Sequence, residues 1–111
     1  MSLSYGWEKL FKAVYTTVGS QRSLQERLAH AFIYDLSPLE KDDLTAETWD
    51  RFQKLRQAVT SKPAVGDEGT INATTSAMTD EEAEKCLEEM VGIFSDIAQA
   101  LGVENHKYET K

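Results

Sequence analysis

The chain has 111 residues, a formal net charge of −7 and 41% hydrophobic residues. A chain of this length is typical of a single domain and buries enough surface to fold without disulfides. It contains no apolar run long enough for a membrane-spanning helix. A secretory signal would show a basic segment followed by an apolar core, and none is predicted here. With one cysteine, Cys86, on the apolar side of a predicted helix, the composition predicts a cytoplasmic protein with a reduced thiol.

The negative charge is concentrated in the second half of the chain. Residues 1–62 carry nine basic and eight acidic side chains, whereas residues 63–111 carry three basic and eleven acidic ones. An acidic surface repels a phosphate backbone, so nucleic-acid binding is disfavoured from the start. The same surface attracts a basic partner, although charges that only keep a protein soluble give the same pattern.

Two helices are predicted in the first third of the chain. The first covers residues 4–18 and ends at Gly19, since glycine tolerates the conformation that closes many helices. The second starts after Ser23, an N-cap with Glu26 as its capping-box partner, and stops near Ser37 because Pro38 disfavours helical geometry in the preceding residue. The predicted inward residues of the first helix are Trp7, Leu10, Phe11, Val14 and Val18, and those of the second are Leu24, Leu28, Ala31, Phe32, Ile33 and Leu36.

A third helix is predicted after Thr45, an N-cap, with Glu47 in the first turn facing the positive end of the helix dipole. The predicted buried positions are Trp49, Phe52, Leu55 (or Arg56) and Val59. Residues 61–69 contain a proline and two glycines without periodicity and are predicted to be the longest loop. Residues 70–78 suit a short helix, but three threonines there weaken this interpretation.

The longest predicted helix covers residues 83–101 and organises the rest of the chain. Thr79 caps it, Glu82 completes a capping box, and Gly102 is the predicted C-cap. Its inward residues recur at spacings of four and three: Ala83, Leu87, Met90, Phe94, Ile97 and Leu101, flanked by Cys86, Val91, Ile93, Ala98 and Ala100. Such a wide apolar arc predicts an all-α, single-domain bundle of four principal helices plus a short helix before the long C-terminal one. The bundle is predicted to cover residues 1–102, and residues 103–111 are predicted to form a polar, frayed tail.

No catalytic, cofactor-binding or metal-ligating residues are predicted. Di-metal helical bundles require Glu-x-x-His pairs, and neither His30 nor His106 follows a glutamate at that spacing. Glu26 and His30 are four residues apart, which suits either a surface pair or part of a metal or small-molecule site. Cys86 lies in an apolar arc, where the thiol pKa is raised rather than lowered, and no nucleophile or phosphate-loop motif is present.

By elimination, the preferred hypothesis is a non-catalytic protein–protein interaction or regulatory module. Its predicted partner is a second copy of the chain or another protein, in particular a basic one. The alternative is a small-molecule or metal-binding helical protein. The third is a weak nucleic-acid binder through the basic third helix. The candidate interaction residues lie on the loop bracketed by Gly66 and Gly69, on the outer face of the long helix and on the third helix: Asp67, Glu68, Glu88, Glu89, Arg51, Lys54 and Arg56.

Several local segments resemble a set of small bacterial proteins of unknown function. The segments are residues 7–10, Ala13-Val14, Gly19-Ser20, residues 23–28, residues 66–69, Ile71, Ala73, Thr74 and residues 78–82. This resemblance implies a bacterial, cytoplasmic, compact helical domain. It implies no site residues.

Overall fold

The computed structural model describes residues 2–64 and 69–109 of the chain, with side chains described up to residue 103. The helices are α1 (Leu3–Gly19), α2 (Leu24–Ala31), α3 (Ala46–Val59), α4 (Gly69–Ser76) and α5 (Asp80–Glu109). A π-helical turn (Phe32–Leu36) continues α2, and a 3-10 turn (Lys41–Asp43) precedes α3. The described residues contain helices and no strand, which confirms the all-α bundle of α1, α2, α3 and α5 with the short α4 before the last helix. Within the same residues, no helix combines the length and apolar composition needed to cross a bilayer.

The structure confirms the N-caps predicted for three helices. At α5, the Thr79 hydroxyl accepts a hydrogen bond from the backbone N–H of Glu82 at 3.1 Å, and the Glu82 carboxylate accepts one from the Thr79 N–H at 2.9 Å. Ser23 accepts from the N–H of Glu26 at the start of α2. Thr45 caps α3, where Thr48 rather than an acidic residue completes the reciprocal pair.

The centre of the bundle is the predicted face of α5. Four of the six predicted inward residues, Ala83, Leu87, Met90 and Ile97, are fully or almost fully buried, as is Ile93, which was predicted to flank them. The other two, Phe94 and Leu101, are half-buried. The prediction that Gly102 ends this helix is wrong, because α5 continues to Glu109. Glycine inside a helix costs only about 1 kcal/mol, which is not enough to terminate a helix of 30 residues. The separation of a bundle from a tail at residue 102 stays a prediction.

The inward face of α1 differs from the predicted one. Leu10 and Ala13 are fully buried and Gly6 is buried, whereas Phe11 is 41% exposed and Val18 is 77% exposed. Gly6 explains this rotation, because an added Cβ at that position would lie 2.1 Å from the carbonyl oxygen of Asp43. The absence of a side chain lets α1 approach the 3-10 turn closely, so the helix packs along Gly6, Leu10 and Ala13.

The end of the second helix also departs from the prediction of one continuous α-helix. The backbone widens into a π turn, in which both the N–H and the hydroxyl of Ser37 donate to the carbonyl oxygen of Phe32, at 3.0 and 2.6 Å. Phe32 and Leu36 are buried as predicted, but Ile33 is 41% exposed. The helix still ends before Pro38, as the sequence predicts.

Residues 69–76, whose state the sequence left open, form the helix α4. The threonines that weakened the helical interpretation are accommodated by local bonds: Thr74 and Thr75 donate to the carbonyl oxygens four residues earlier, at 2.8 and 2.9 Å. Both side chains are buried. Burial with satisfied hydroxyls outweighs the low helix propensity of threonine here.

Candidate interaction surface

An aromatic face lies on the outside of the bundle where α1 packs against α5. We define it as Trp7, Phe11, Tyr15 and Val18 of α1 with Val91 and Phe94 of α5. The Trp7 and Phe11 rings stack with centroids 5.1 Å apart, and Phe94 lies 6.2 and 6.3 Å from these two rings. Tyr15 extends the row, with its ring 5.8 Å from that of Phe11.

The aromatic face is open to solvent over much of its area. Tyr15 is 71% exposed, Val18 77% and Val91 47%. A shallow groove of about 660 Å³ runs along it. Its lining consists of apolar and small residues: Phe11, Val14, Tyr15, Val18, Gly19 and Phe94. An extended apolar patch of this kind on a monomer is typical of a binding surface, whereas isolated exposed apolar residues are ordinary.

A second cavity, the basic pocket, adjoins this groove at the carboxyl end of α1. It has a volume of about 340 Å³ and is lined by Tyr15, Thr16, Thr17, Gly19, Ser20, Arg22, Arg27 and His30. The backbone folds so that the Nε of Arg27 donates to the carbonyl oxygen of Arg22 at 2.7 Å. The His30 ring lies against the Tyr34 ring, with centroids 4.4 Å apart and planes tilted by 38°, and its Nδ1 is buried without a hydrogen-bond partner among the described residues.

The basic residues of α3 are engaged within the fold to different degrees. Arg56 donates to the carbonyl oxygens of Ser37 and Leu39 at 3.1 and 2.9 Å and lies over the ring of Phe52. Burial lowers the pKa of this guanidinium. Lys54 is exposed and pairs with Asp50 at 3.4 Å. Little free positive charge is therefore left on α3 for a phosphate backbone.

Arg51, the remaining basic residue, joins α3 to α5. Its Nε donates to a carboxylate oxygen of Glu89 at 2.7 Å, and its Nη1 donates to a carboxylate oxygen of Asp96. The Glu89 carboxylate raises the pKa of Arg51 above its usual value. Gly92, between the two acids on α5, makes room for the guanidinium, because a Cβ there would be 2.7 Å from Nη2 of Arg51.

We expect Gly92→Ala to uncouple Arg51 from α5. The added methyl group displaces the guanidinium, while alanine improves helix propensity by about 1 kcal/mol, so the single variant changes stability little. Arg51→Met should lower the free energy of unfolding by about 1 kcal/mol in the natural background and by clearly less in the Gly92→Ala background. Urea unfolding of the four proteins measures this difference, and equal losses in both backgrounds would contradict it.

The predicted acidic residues do not come together in one described site. Glu88 is exposed on α5, and the neighbouring Glu89 binds Arg51 instead of facing solvent freely. Asp67 and Glu68 lie outside the described residues. The acidic outer surface is therefore represented in the structure by exposed residues of α5 such as Glu81, Glu84 and Glu88.

Glu26 and His30, the pair behind the metal and small-molecule alternative, line different cavities. Glu26 accepts a hydrogen bond from the Ser23 hydroxyl at 3.0 Å and belongs to a cavity between α2 and α4. His30 belongs to the basic pocket, where Arg22 and Arg27 repel a cation. The described residues contain no group of three or more His, Cys, Asp or Glu side chains that could hold a metal ion.

Cys86 is half-buried on α5, beside Leu55 and Lys85. Burial raises the pKa of its thiol, and the charge of Glu82 raises it further. A thiol with a raised pKa is a weak nucleophile at neutral pH, as the sequence predicted.

Comparison of the chain with protein-family models, curated proteins and solved structures finds no significant match. The resemblance to small bacterial proteins stays a prediction.

The sequence did not identify the aromatic face, although its signal was present. Trp7, Phe11 and Tyr15 recur every four residues, and the sequence analysis assigned the first two to the core. The same helix has a second line, Gly6, Leu10 and Ala13, of smaller residues at equally helical spacing. Choosing between two such lines requires knowing that a backbone approaches Gly6, which only the fold shows.

Proposed function

We propose that this protein is a cytoplasmic, non-catalytic protein–protein interaction or regulatory module, and that the aromatic face is its binding surface. The observation that supports the proposal is a continuous row of rings, in which the exposed Phe11 and Tyr15 are flanked by the half-buried Trp7 and Phe94. Tryptophan and tyrosine are enriched at the energetic centres of protein interfaces, because they bury large area with few rotatable bonds.

The arrangement of the face favours a protein partner over a small molecule. The groove is shallow and open, whereas small-molecule sites enclose most of their ligand. It lies on two helices of the bundle that pack against each other, α1 and α5. A partner segment laid along them would bury the exposed parts of Tyr15, Val18 and Val91 together.

A pull-down of the tagged full-length protein from its native cytoplasm tests the proposal. The binding variant is Tyr15→Gln/Val18→Gln, which removes exposed apolar groups and introduces a good helix former, so the fold should be retained. We expect a stoichiometric protein partner with the natural protein, resistant to nuclease, and its loss from the variant.

Two matched variants locate the binding surface. Glu88→Gln removes an exposed acid of α5, and Lys54→Gln removes the exposed lysine of α3. Both should retain the partner. Loss of the partner from Glu88→Gln alone would instead favour the acidic surface, and a partner set removed by nuclease and by Lys54→Gln would favour nucleic-acid binding.

A further inference from the structure

The basic pocket contains positive charge that the fold leaves unpaired. Among the described residues, neither Arg22 nor Arg27 forms an ion pair with a carboxylate, in contrast to Arg51, Lys12 and Lys85. The Arg27 guanidinium uses only its Nε, in the bond to the Arg22 carbonyl oxygen. Its terminal N–H groups, with those of Arg22, remain as donors for an anion.

The basic pocket concentrates positive charge on one part of an acidic chain. The chain has a net charge of −7, and exposed acids on α1, α3 and α5 pair with nearby lysines. The basic pocket instead combines two arginines with His30 and the hydroxyl residues Thr16 and Ser20. Arginine binds a carboxylate through charge-assisted, often bidentate hydrogen bonds, and a neighbouring hydroxyl offers a further donor.

The basic pocket and the aromatic groove are continuous, because Tyr15 and Gly19 line both. A partner segment lying in the groove therefore reaches the two arginines at the carboxyl end of α1. The groove offers mainly apolar contacts, whereas the pocket offers positive charge. The whole surface therefore complements a segment that is apolar along its length and acidic at one end.

Resting on the proposed function, we propose that the partner is a protein segment with apolar side chains followed by a carboxylate, and that Arg22 and Arg27 bind that carboxylate. The carboxylate is an Asp or Glu side chain or a chain terminus. The apolar groups lie against Phe11, Tyr15 and Val18. This partner has the opposite charge to the basic one that the acidic composition suggests, because the charge at the binding surface differs from the charge of the whole chain.

Selection of a phage-displayed random peptide library against the full-length protein tests the proposal, with the Tyr15→Gln/Val18→Gln protein as the counter-selection. We expect enriched peptides with aromatic or aliphatic residues followed by Asp or Glu. A synthetic peptide of the enriched sequence should then bind about tenfold more weakly to Arg22→Gln/Arg27→Gln than to the natural protein. Replacing its acid by the corresponding amide should weaken binding to the natural protein by a similar factor and have little further effect on that variant.

The matched control is Lys54→Gln/Lys85→Gln, which removes two positive charges from lysines whose side chains are 76% and 74% exposed and lie outside the pocket. Its affinity should stay within about twofold of the natural protein, since distant exposed charges are screened. Thermal melts of the arginine and the lysine double variants establish that each is folded.

The remaining outcomes separate this inference from the proposed function. Enriched apolar peptides that are neutral or basic, or that bind Arg22→Gln/Arg27→Gln normally, would overturn the carboxylate-binding role and leave the aromatic face as the binding surface. A dimer in sedimentation that Tyr15→Gln/Val18→Gln dissociates and Arg22→Gln/Arg27→Gln does not would identify a second copy as the occupant and overturn the inference. Failure of any peptide to enrich over the counter-selection, with a monomer in sedimentation, would overturn both.

Discussion

Gly6→Ala is expected to lower the free energy of unfolding by about 3 kcal/mol or more, the upper part of the range for overpacking. The added Cβ would lie 2.1 Å from the carbonyl oxygen of Asp43 and 3.3 Å from a methyl group of Leu44. The nearest atom belongs to backbone, so relief requires α1 to move away from the 3-10 turn rather than a side chain to rotate. Chemical unfolding followed by circular dichroism measures the loss.

The consequences of moving α1 explain why the expected loss is large. Asp43 is 1% exposed and accepts hydrogen bonds from the backbone N–H groups of Ser2 and Glu40, each at 2.9 Å. Burial alone would raise its pKa, but its hydrogen bonds, including these two, outweigh that effect and hold the pKa below its usual value. Displacing α1 breaks the hydrogen bond from Ser2 and leaves the buried Asp43 carboxylate with fewer hydrogen-bond donors.

Gly19→Ala is the matched control on the same helix. A Cβ at Gly19 meets no atom within 4 Å, and Gly19 does not adopt a positive φ. Alanine should therefore stabilise the protein slightly, by up to about 1 kcal/mol, through its better helix propensity. If both variants changed stability equally, the close approach of α1 to Asp43 would not be the feature that sets the orientation of this helix.

The sequence predicted those parts of the fold that depend on local chemistry. Thr79 with Glu82 specifies where α5 begins, because both hydrogen bonds of the capping box lie within four residues. Apolar spacing likewise specified the buried face of α5, where four of the six predicted inward positions are buried. These signals require no knowledge of the neighbouring helices.

The aromatic face and the basic pocket depend on contacts that are distant in sequence, and the sequence analysis missed both. The aromatic face follows from the packing of Gly6 against Asp43, and it includes Phe94, more than 80 residues from Phe11. The basic pocket forms where the turn after α1 folds back on α2, so that Arg22 and His30 line one cavity. The prediction of a basic partner rests on the net charge, which averages over surfaces with different local charges, and it stays a prediction.

Phe52→Ala is expected to cost about 4 kcal/mol of unfolding free energy, in the range measured for large aromatic residues in cores. Phe52 is fully buried on α3, and its ring lies 5.9 Å from the rings of Phe32 and Trp49. The guanidinium of Arg56 lies 4.7 Å from the same ring. Removing the Phe52 ring leaves a cavity between α3 and the π turn and takes away the surface against which Arg56 is positioned.

Phe11→Ala provides the comparison, since it removes the same side chain from a site that is 41% exposed. Its expected cost is about 1 kcal/mol, from the lost stacking on Trp7 and a smaller loss of buried area. Partner binding should show the opposite order: Phe11→Ala should weaken it more than Phe52→Ala does. Phe11 lines the groove of the aromatic face, whereas Phe52 does not contribute to that groove. Urea midpoints and peptide affinities measured on the two variants would thus separate a phenylalanine that holds the bundle together from one that the bundle presents. Equal losses of stability would mean that Phe11 belongs to the core, which would remove the main support for the aromatic face as a binding surface.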